Sequence, residues 1–241
     1  MNFKNISYKK NDPVYEHNND FDQPKEYFKI IAGLIKKRFH SSKIKVIDVG
    51  CASGAFLFYV NKYLNLEYSV GIDISEKHLN KARSRLPKSR FYEMSVLELD
   101  FNNLKKFDVC TFLGTMAIFD NMEPILSNLF KLISKSGFIY IFDHVNHYPI
   151  DMIMRYKNAL TDQNNDWNSG LNIRSKETYL ELIKKINSKA KVNFYDFRMP
   201  FEIEKTENFM RAWTISTSEN KNQIVVGTGQ MLNFKIIEIS Y

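Results

Sequence analysis

Val46-Ile47-Asp48-Val49-Gly50-Cys51-Ala52-Ser53-Gly54-Ala55-Phe56 decides the fold. Lys43 to Val49 reads as a first strand. Its apolar residues Ile44, Val46, Ile47 and Val49 leave no polar face, so both faces should be covered, as in a parallel sheet. Asp48 stands near the strand end, and small residues follow at alternate positions: Gly50, Ala52 and Gly54. Such a turn lets backbone approach a ligand closely at the carboxyl end of the strand. Ala55 to Leu64 then reads as a helix.

Downstream, Val70-Gly71-Ile72-Asp73-Ile74-Ser75 closes a second strand, Tyr68 to Ile74, with a second acid. Asp73 follows Gly54 by 19 residues, the place where a carboxylate accepts hydrogen bonds from ribose hydroxyls. Ser75 caps a helix over Glu76–Leu86, closed by Pro87. Further strands are expected at Arg90–Met94, Phe107–Leu113 and Phe138–Phe142, with Ser95-Val96-Leu97 in the loop where an adenine would sit. A helix over Pro124–Ile133 is expected to end at Ser136-Gly137, with Gly137 at C′. Upstream, Pro24-Lys25-Glu26 opens a helix with Pro near N1, carrying Phe28, Ile31, Leu34, Ile35 and Phe39 at helical spacing.

This alternation requires right-handed crossovers and a doubly wound sheet. Beyond it, Ser175 caps a helix over Lys176–Ile186, Val192–Phe197 is a strand, Ala212–Thr217 and Gln223–Thr228 form a hairpin, and Phe234–Ser240 is the last strand. The expected class is α/β: a Rossmann-like, mostly parallel sheet with an antiparallel edge strand and helices on both faces. The chain reads as one domain, 1–241. Residues 1–24 form an arm or lid carrying Tyr8 and Tyr15, residues 43–143 a cofactor-binding core, and residues 148–174 an insertion over the strand ends.

Of 241 residues 44% are hydrophobic, enough for a substantial core. Cys51 and Cys110 are the only cysteines, which argues against a disulfide scaffold and fits a reducing cytoplasm. The polar N-terminus carries no secretory signature, and the longest apolar run, Val109–Phe119, is too short to span a bilayer. The formal charge of +7 could mark a nucleic-acid binder, but the lysines are scattered over helix faces such as Lys36, Lys37, Lys184 and Lys185, as on a solvated surface. A nucleic-acid partner is therefore not expected, and the oligomeric state stays open.

A dinucleotide site would read G-x-G-x-x-G, with a pyrophosphate on the helix N-terminus. Here the spacing is D-x-G-x-A-x-G, and a carboxylate before the first glycine would repel a pyrophosphate but suit a cation or amine. At this point the sequence resembles the class I S-adenosylmethionine-dependent methyltransferases. The likeness lies in Asp48–Gly54, Val70–Ser75, Phe107-Asp108-Val109 and Phe138–Phe142, and covers roughly Val46 to Asp143. The resemblance implies S-adenosylmethionine as cofactor. It sets Gly50, Ala52 and Gly54 along its amino-acid part, Asp48 at its ammonium, Asp73 at the ribose, Ile74 on the adenine face, Ser95 and Val96 at the adenine edge, and Leu113 along the methionine portion. Ala52 replaces the commoner middle glycine, and Ser95 stands where many members have an acid.

Methyl transfer needs in-line alignment, and a base only where the acceptor must lose a proton early. In Asp143-His144-Val145-Asn146-His147-Tyr148, placed just after the fifth strand, His144 is the first candidate base and His147 the second. A metal held by Asp143, His144 and His147 lacks a further evident ligand, so no metal is expected. Substrate contacts are expected from Tyr148, Arg155, Trp167 and Arg174, with Tyr156, Arg198, Arg211 and Trp213 as further candidates. Leu113-Gly114-Thr115-Met116 stands where amino-methylating DNA enzymes carry Asn/Asp-Pro-Pro-Tyr/Phe, and the Pro-Cys pair of cytosine C5 enzymes is missing. The expected activity is O-methylation of a small polar acceptor: a sugar, a nucleotide-activated or a phosphorus-containing precursor of a bacterial surface polysaccharide. The alternatives are an RNA or protein methyltransferase and a noncatalytic binding protein of this fold.

Overall fold

The computed structural model describes residues 21–102, 104–157, 159, 167–208 and 211–241. Nearly all of the expected N-terminal arm, Tyr8 and Tyr15 included, lies outside the described residues. Helix α1 (Glu26–Phe39) places Phe28, Ile31, Ala32 and Ile35 on its buried face. Glu26 in the first turn and Lys36, Lys37 and Arg38 in the last complement the helix dipole. Lys25 is the N-cap, so Pro24 precedes the cap and is not at N1.

The central sheet runs β3 (Arg90–Glu93), β2 (Leu66–Asp73), β1 (Ile44–Val49), β4 (Phe107–Leu113), β5 (Ile133–Asn146), β13 (Phe234–Ser240) and β9 (Lys191–Asp196), in that order. The short β8 (Arg174–Ser175) also pairs with β5. Strands β1 to β5 are mutually parallel, and β13 runs antiparallel to both β5 and β9. The sheet is thus mostly parallel, as expected. The antiparallel strand, however, is the inner β13, and the edge strand β9 runs with the core. The order reverses between β1 and β4, where open α/β sheets bind their ligands.

Continuous apolar strands feed two cores. Val46, Val109, Tyr140 and Ile236 pack with α1, α2 (Ala55–Tyr63) and α3 (Glu76–Arg85). Their neighbours Ile47, Cys110, Ile139 and Ile237 pack with α4 (Glu123–Leu132) and α5 (Lys176–Ile186) on the other face. Successive side chains of a strand alternate between faces, so a strand covered on both is mostly apolar, and its buried polar residues need partners. Ser75 and Ser175 cap α3 and α5 by accepting from the His78 and Thr178 N–H groups. In the fourth-strand motif, Asp108 accepts from Lys45 N at 2.8 Å and fixes the start of β1.

Gly137 does not cap α4. The helix ends when Ile133 turns extended (φ −93°, ψ 154°), and β5 starts there. Glycine is required at 137 for space: a Cβ would stand 2.9 Å from Ile133 Cβ and 3.1 Å from Phe107 O.

The insertion forms a small hairpin, β6 (Arg155–Tyr156) with β7 (Asn168–Ser169), and a Met152–Ile173 bridge. Its return limb hydrogen-bonds to the turn after β4, Asn172 N to Ala117 O and Ser169 Oγ to Ile118 O. Near the C-terminus, β10 (Trp213–Ile215), β11 (Gln223–Val225) and β12 (Met231–Leu232) make a separate antiparallel sheet containing the expected hairpin. Among the described residues, no helix is long and apolar enough to cross a membrane.

Candidate active site

The turn after β1 lies at the sheet's reversal point. Gly50 (φ 72°), Ala52 (φ 46°) and Gly54 (φ 80°) are all left-handed, which lets the chain double back against the sheet mouth. Gly50 and Cys51 both donate to Ile72 O, at 2.7 and 2.9 Å, strapping the turn to β2. A Cβ at Gly50 would approach Thr115 Oγ1 to 3.0 Å, and one at Gly54 would approach Ala82 Cβ on α3 to 3.1 Å. Ala52 holds a left-handed conformation with a side chain in place, the most strained of the three positions.

The half-buried Asp73 is held by the backbone. Its Oδ2 accepts from Ala52 N at 2.8 Å and its Oδ1 from Ser75 N at 2.9 Å. Each oxygen keeps a lone pair for a further donor, so the carboxylate is oriented without being saturated. Ile74 follows it, half-buried.

Asp48 is 3% exposed and accepts from Thr111 Oγ1 at 2.6 Å. Burial pushes its carboxyl up to about 7; the Thr111 hydrogen bond opposes the shift and the nearby Asp73 charge adds to it. No cation pairs with Asp48 among the described residues.

Ser95 and Val96, expected at the adenine edge, follow β3. Ser95 Oγ accepts from Leu97 N at 3.2 Å, and the buried Val96 fixes its carbonyl through Asn128 Nδ2 at 2.8 Å. Leu113 ends β4, half-buried, and its carbonyl accepts from Thr115 Oγ1 at 3.3 Å. Sequence reasoning missed Thr111, Thr115 and Asn128. Thr111 carried a signal as the polar residue inside Val109-Cys110-Thr111-Phe112, and the β1–β4 register sets it opposite Asp48.

The candidate bases sit differently from expectation. The fifth strand runs on to Asn146, because β13 pairs Phe234 with His144 and β8 pairs with Val145 and Asn146. His144 therefore lies inside the strand, 2% exposed, and both its ring nitrogens are buried without a hydrogen-bond partner among the described residues. Its ring stacks on Phe234 (5.6 Å), which stacks on Phe142 (4.7 Å), which stacks on Tyr27 of α1 (3.9 Å). Asp143 accepts from Tyr179 Oη at 2.6 Å and lies 4.0 Å from His144 Nε2; burial raises its carboxyl. His147 follows the strand end and is exposed.

Two expected substrate contacts are engaged within the protein. Arg174 is buried and donates to Met152 O (3.1 Å) and to Asp120 O (2.8 Å), clamping the insertion onto the turn after β4. Arg155 pairs with Asp120 and donates to Met154 O at 2.8 Å. Tyr148 is 72% exposed, and Trp167 is 41% exposed with Lys157 Nζ 5.7 Å from its ring centre.

The left-handed turn thus lies at the reversal point, beside an oriented acid on β2 and a buried acid on β1. A family model described as a methyltransferase domain matches residues 40–211. The chain belongs to that family and is a class I S-adenosylmethionine-dependent methyltransferase. It is 27% identical over 190 residues to the uncharacterized protein MJ1252 of Methanocaldococcus jannaschii, covering 77% of this chain and 70% of that one. Solved structures share the fold. An S-adenosylmethionine-dependent methyltransferase from Clostridium acetobutylicum superposes with a TM-score of 0.59 at 11% identity, covering 95% of both chains. The 1,6-didemethyltoxoflavin-N1-methyltransferase of Burkholderia thailandensis, solved with 1,6-didemethyltoxoflavin and S-adenosylhomocysteine, gives 0.57 at 13% identity, covering 94% of this chain and 83% of that one.

Proposed function

We propose that this enzyme transfers a methyl group to a hydroxyl of a small polar acceptor, with His144 as the base. The observation that carries the reading is the His144 imidazole, buried with neither nitrogen hydrogen-bonded among the described residues, two positions beyond the β5 residue that pairs with Leu113 at the end of β4. An unsatisfied buried polar group costs about 1–3 kcal/mol, and a ligand hydroxyl would remove that cost.

The cofactor supplies an electrophilic methyl on a sulfonium. Gly50, Ala52 and Gly54 would line its amino-acid part, Asp48 would hold its ammonium, and Asp73 would accept from the ribose hydroxyls. Ile74 would pack on the adenine, with Ser95 and Val96 at its edge and Leu113 along the methionine part. His144 would take the acceptor's proton as the oxygen attacks, and Asp143, fixed by Tyr179, would steady the imidazole. His147 is the second candidate, open to solvent at the end of β5. Tyr148 and Trp167 keep exposed rings on the insertion for an acceptor, whereas Arg155 and Arg174 would act by holding the insertion in place.

The Burkholderia enzyme, solved with bound 1,6-didemethyltoxoflavin, supports a small-molecule acceptor. A sugar or an activated or phosphorus-containing glycan precursor rests on likeness in size and layout to bacterial glycan-tailoring methyltransferases. Two free, buried cysteines support a reducing cytoplasm. Phe21, at the end of the expected arm, packs on Phe58 of α2, with Arg85 of α3 4.2 Å from its ring centre.

The test is an acceptor screen of small hydroxylated metabolites with labelled S-adenosylmethionine. Turnover should fall roughly 100-fold or more in His144→Gln with donor affinity unchanged. Equal turnover in that variant would remove His144 from the reaction.

A further inference from the structure

A cavity of about 320 Å³ opens at the same edge of the sheet as the cofactor turn. His147 after β5, Asp196 and Arg198 at the end of β9, and Lys235 of β13 line it, with Phe197 and Phe234 in its wall. The β10–β11 turn closes the far side with Ser218, Glu219 and Asn220.

Charge decides what fits. Arg198 and Lys235 are matched by Asp196 and Glu219, so neither a phosphate nor a cation finds a net opposite charge. Lys235 is already paired with Asp196. Arg198 has no hydrogen-bond or ion-pair partner among the described residues and is exposed. The unpaired groups are therefore donors from Arg198, the second oxygen of Asp196 and the His147 imidazole, set against aromatic side chains. Alternating donors and acceptors beside an apolar surface match a ring carrying several hydroxyls, because each hydroxyl both donates and accepts.

We propose that this cavity binds a neutral polyhydroxylated ring, sugar-like in chemistry, as the acceptor. The proposal deepens the function given above and rests on it. His147, the second candidate base, lines the cavity, so a ring hydroxyl seated there would meet its imidazole.

The experiment uses the full chain saturated with S-adenosylhomocysteine. Saturation-transfer NMR is recorded with the methyl glycosides of glucose, galactose and rhamnose, and with inorganic phosphate. Saturable binding of at least one glycoside, weakened tenfold or more by Arg198→Ala and by Asp196→Asn, is the expected result. Arg198 is exposed, so its replacement leaves the fold and the S-adenosylhomocysteine affinity intact. Binding of no glycoside, equal binding in Arg198→Ala, or preferential binding of phosphate would each overturn the proposal. Failure of the protein to take up S-adenosylhomocysteine would instead strike at the cofactor reading, so the two failures are distinguishable.

Discussion

Thr111 and Asp48 face each other across the β1–β4 register, and the threonine hydroxyl donates to the carboxylate at 2.6 Å. This hydrogen bond is the counterweight to a burial that raises Asp48 to about 7. The acid must be ionised to hold an ammonium, so below pH 7 donor binding has to expel a proton. Affinity for S-adenosylmethionine should fall by up to about tenfold per unit as pH drops from 7 to 5.5. Asp48→Asn should bind more weakly at pH 7.5 and show a flat profile. Thr111→Val should move the fall to higher pH. Calorimetric titrations across this range check all three.

The same acid affects stability with a definite sign. Its folded value lies above the ordinary carboxylate value of 3.8, so the folded state retains a proton that the unfolded chain releases. The favourable contribution is complete below pH 3.8 and is lost as pH rises through about 7. At pH 8 Asp48→Asn should therefore be more stable than the natural protein by an amount on the order of 2 kcal/mol, or roughly 4–8 °C in Tm. The gain should shrink toward pH 5. Thermal melts at the two pH values measure it.

Glu238 of β13 ties α1 to the sheet. It accepts from Arg38 of α1 at 2.6 Å, Tyr140 at 2.9 Å and Asn193 at 3.0 Å. Burial pushes its carboxyl up, but the Arg38 bond, with those of Asn193 and Tyr140, outweighs it and the net shift is downward. Its stabilisation is present above the ordinary carboxylate value and is lost as pH falls below it. Glu238→Ala should cost about 2–4 kcal/mol at pH 7, since it strands Tyr140 and Asn193. The deficit should narrow under acid. Urea denaturation at pH 7 and pH 4 tests this.

Much of the fold was legible because both its cores are fed by largely apolar strands, whose length and turn residues show plainly. The cofactor turn was legible for a local reason: only small residues tolerate the left-handed backbone at Gly50 and Gly54. Gly137 misled because a glycine after a helix looks like a C′ residue. Its actual constraint, crowding by Phe107 O, comes from a neighbouring strand. Arg155 and Arg174 were equally opaque. An arginine in a loop reads the same whether it meets a ligand or carbonyls that only the tertiary path brings together. The extension of β5 through His144 depends on pairing with Phe234, 90 residues away, which no local pattern reports.

Arg174 gives a corresponding prediction. Arg174→Met should leave the carbonyls of Met152 and Asp120 short of a donor, at a cost of about 2 kcal/mol. The insertion should then open locally and become more sensitive to limited proteolysis, while affinity for S-adenosylmethionine stays unchanged. A substrate contact would behave in the opposite way, with an intact insertion and a raised acceptor KM.

Asp73, fixed by the N–H groups of Ala52 and Ser75, would complete a cofactor site with the Gly50–Gly54 turn. Its most direct test is calorimetric titration of the natural protein and of Asp73→Ala with S-adenosylmethionine and S-adenosylhomocysteine. Losing two charge-assisted hydrogen bonds to the ribose should weaken binding on the order of 100-fold or more. Micromolar binding that the variant loses is the predicted result. Folded natural protein that binds neither ligand, or a variant that binds both equally well, would contradict the account.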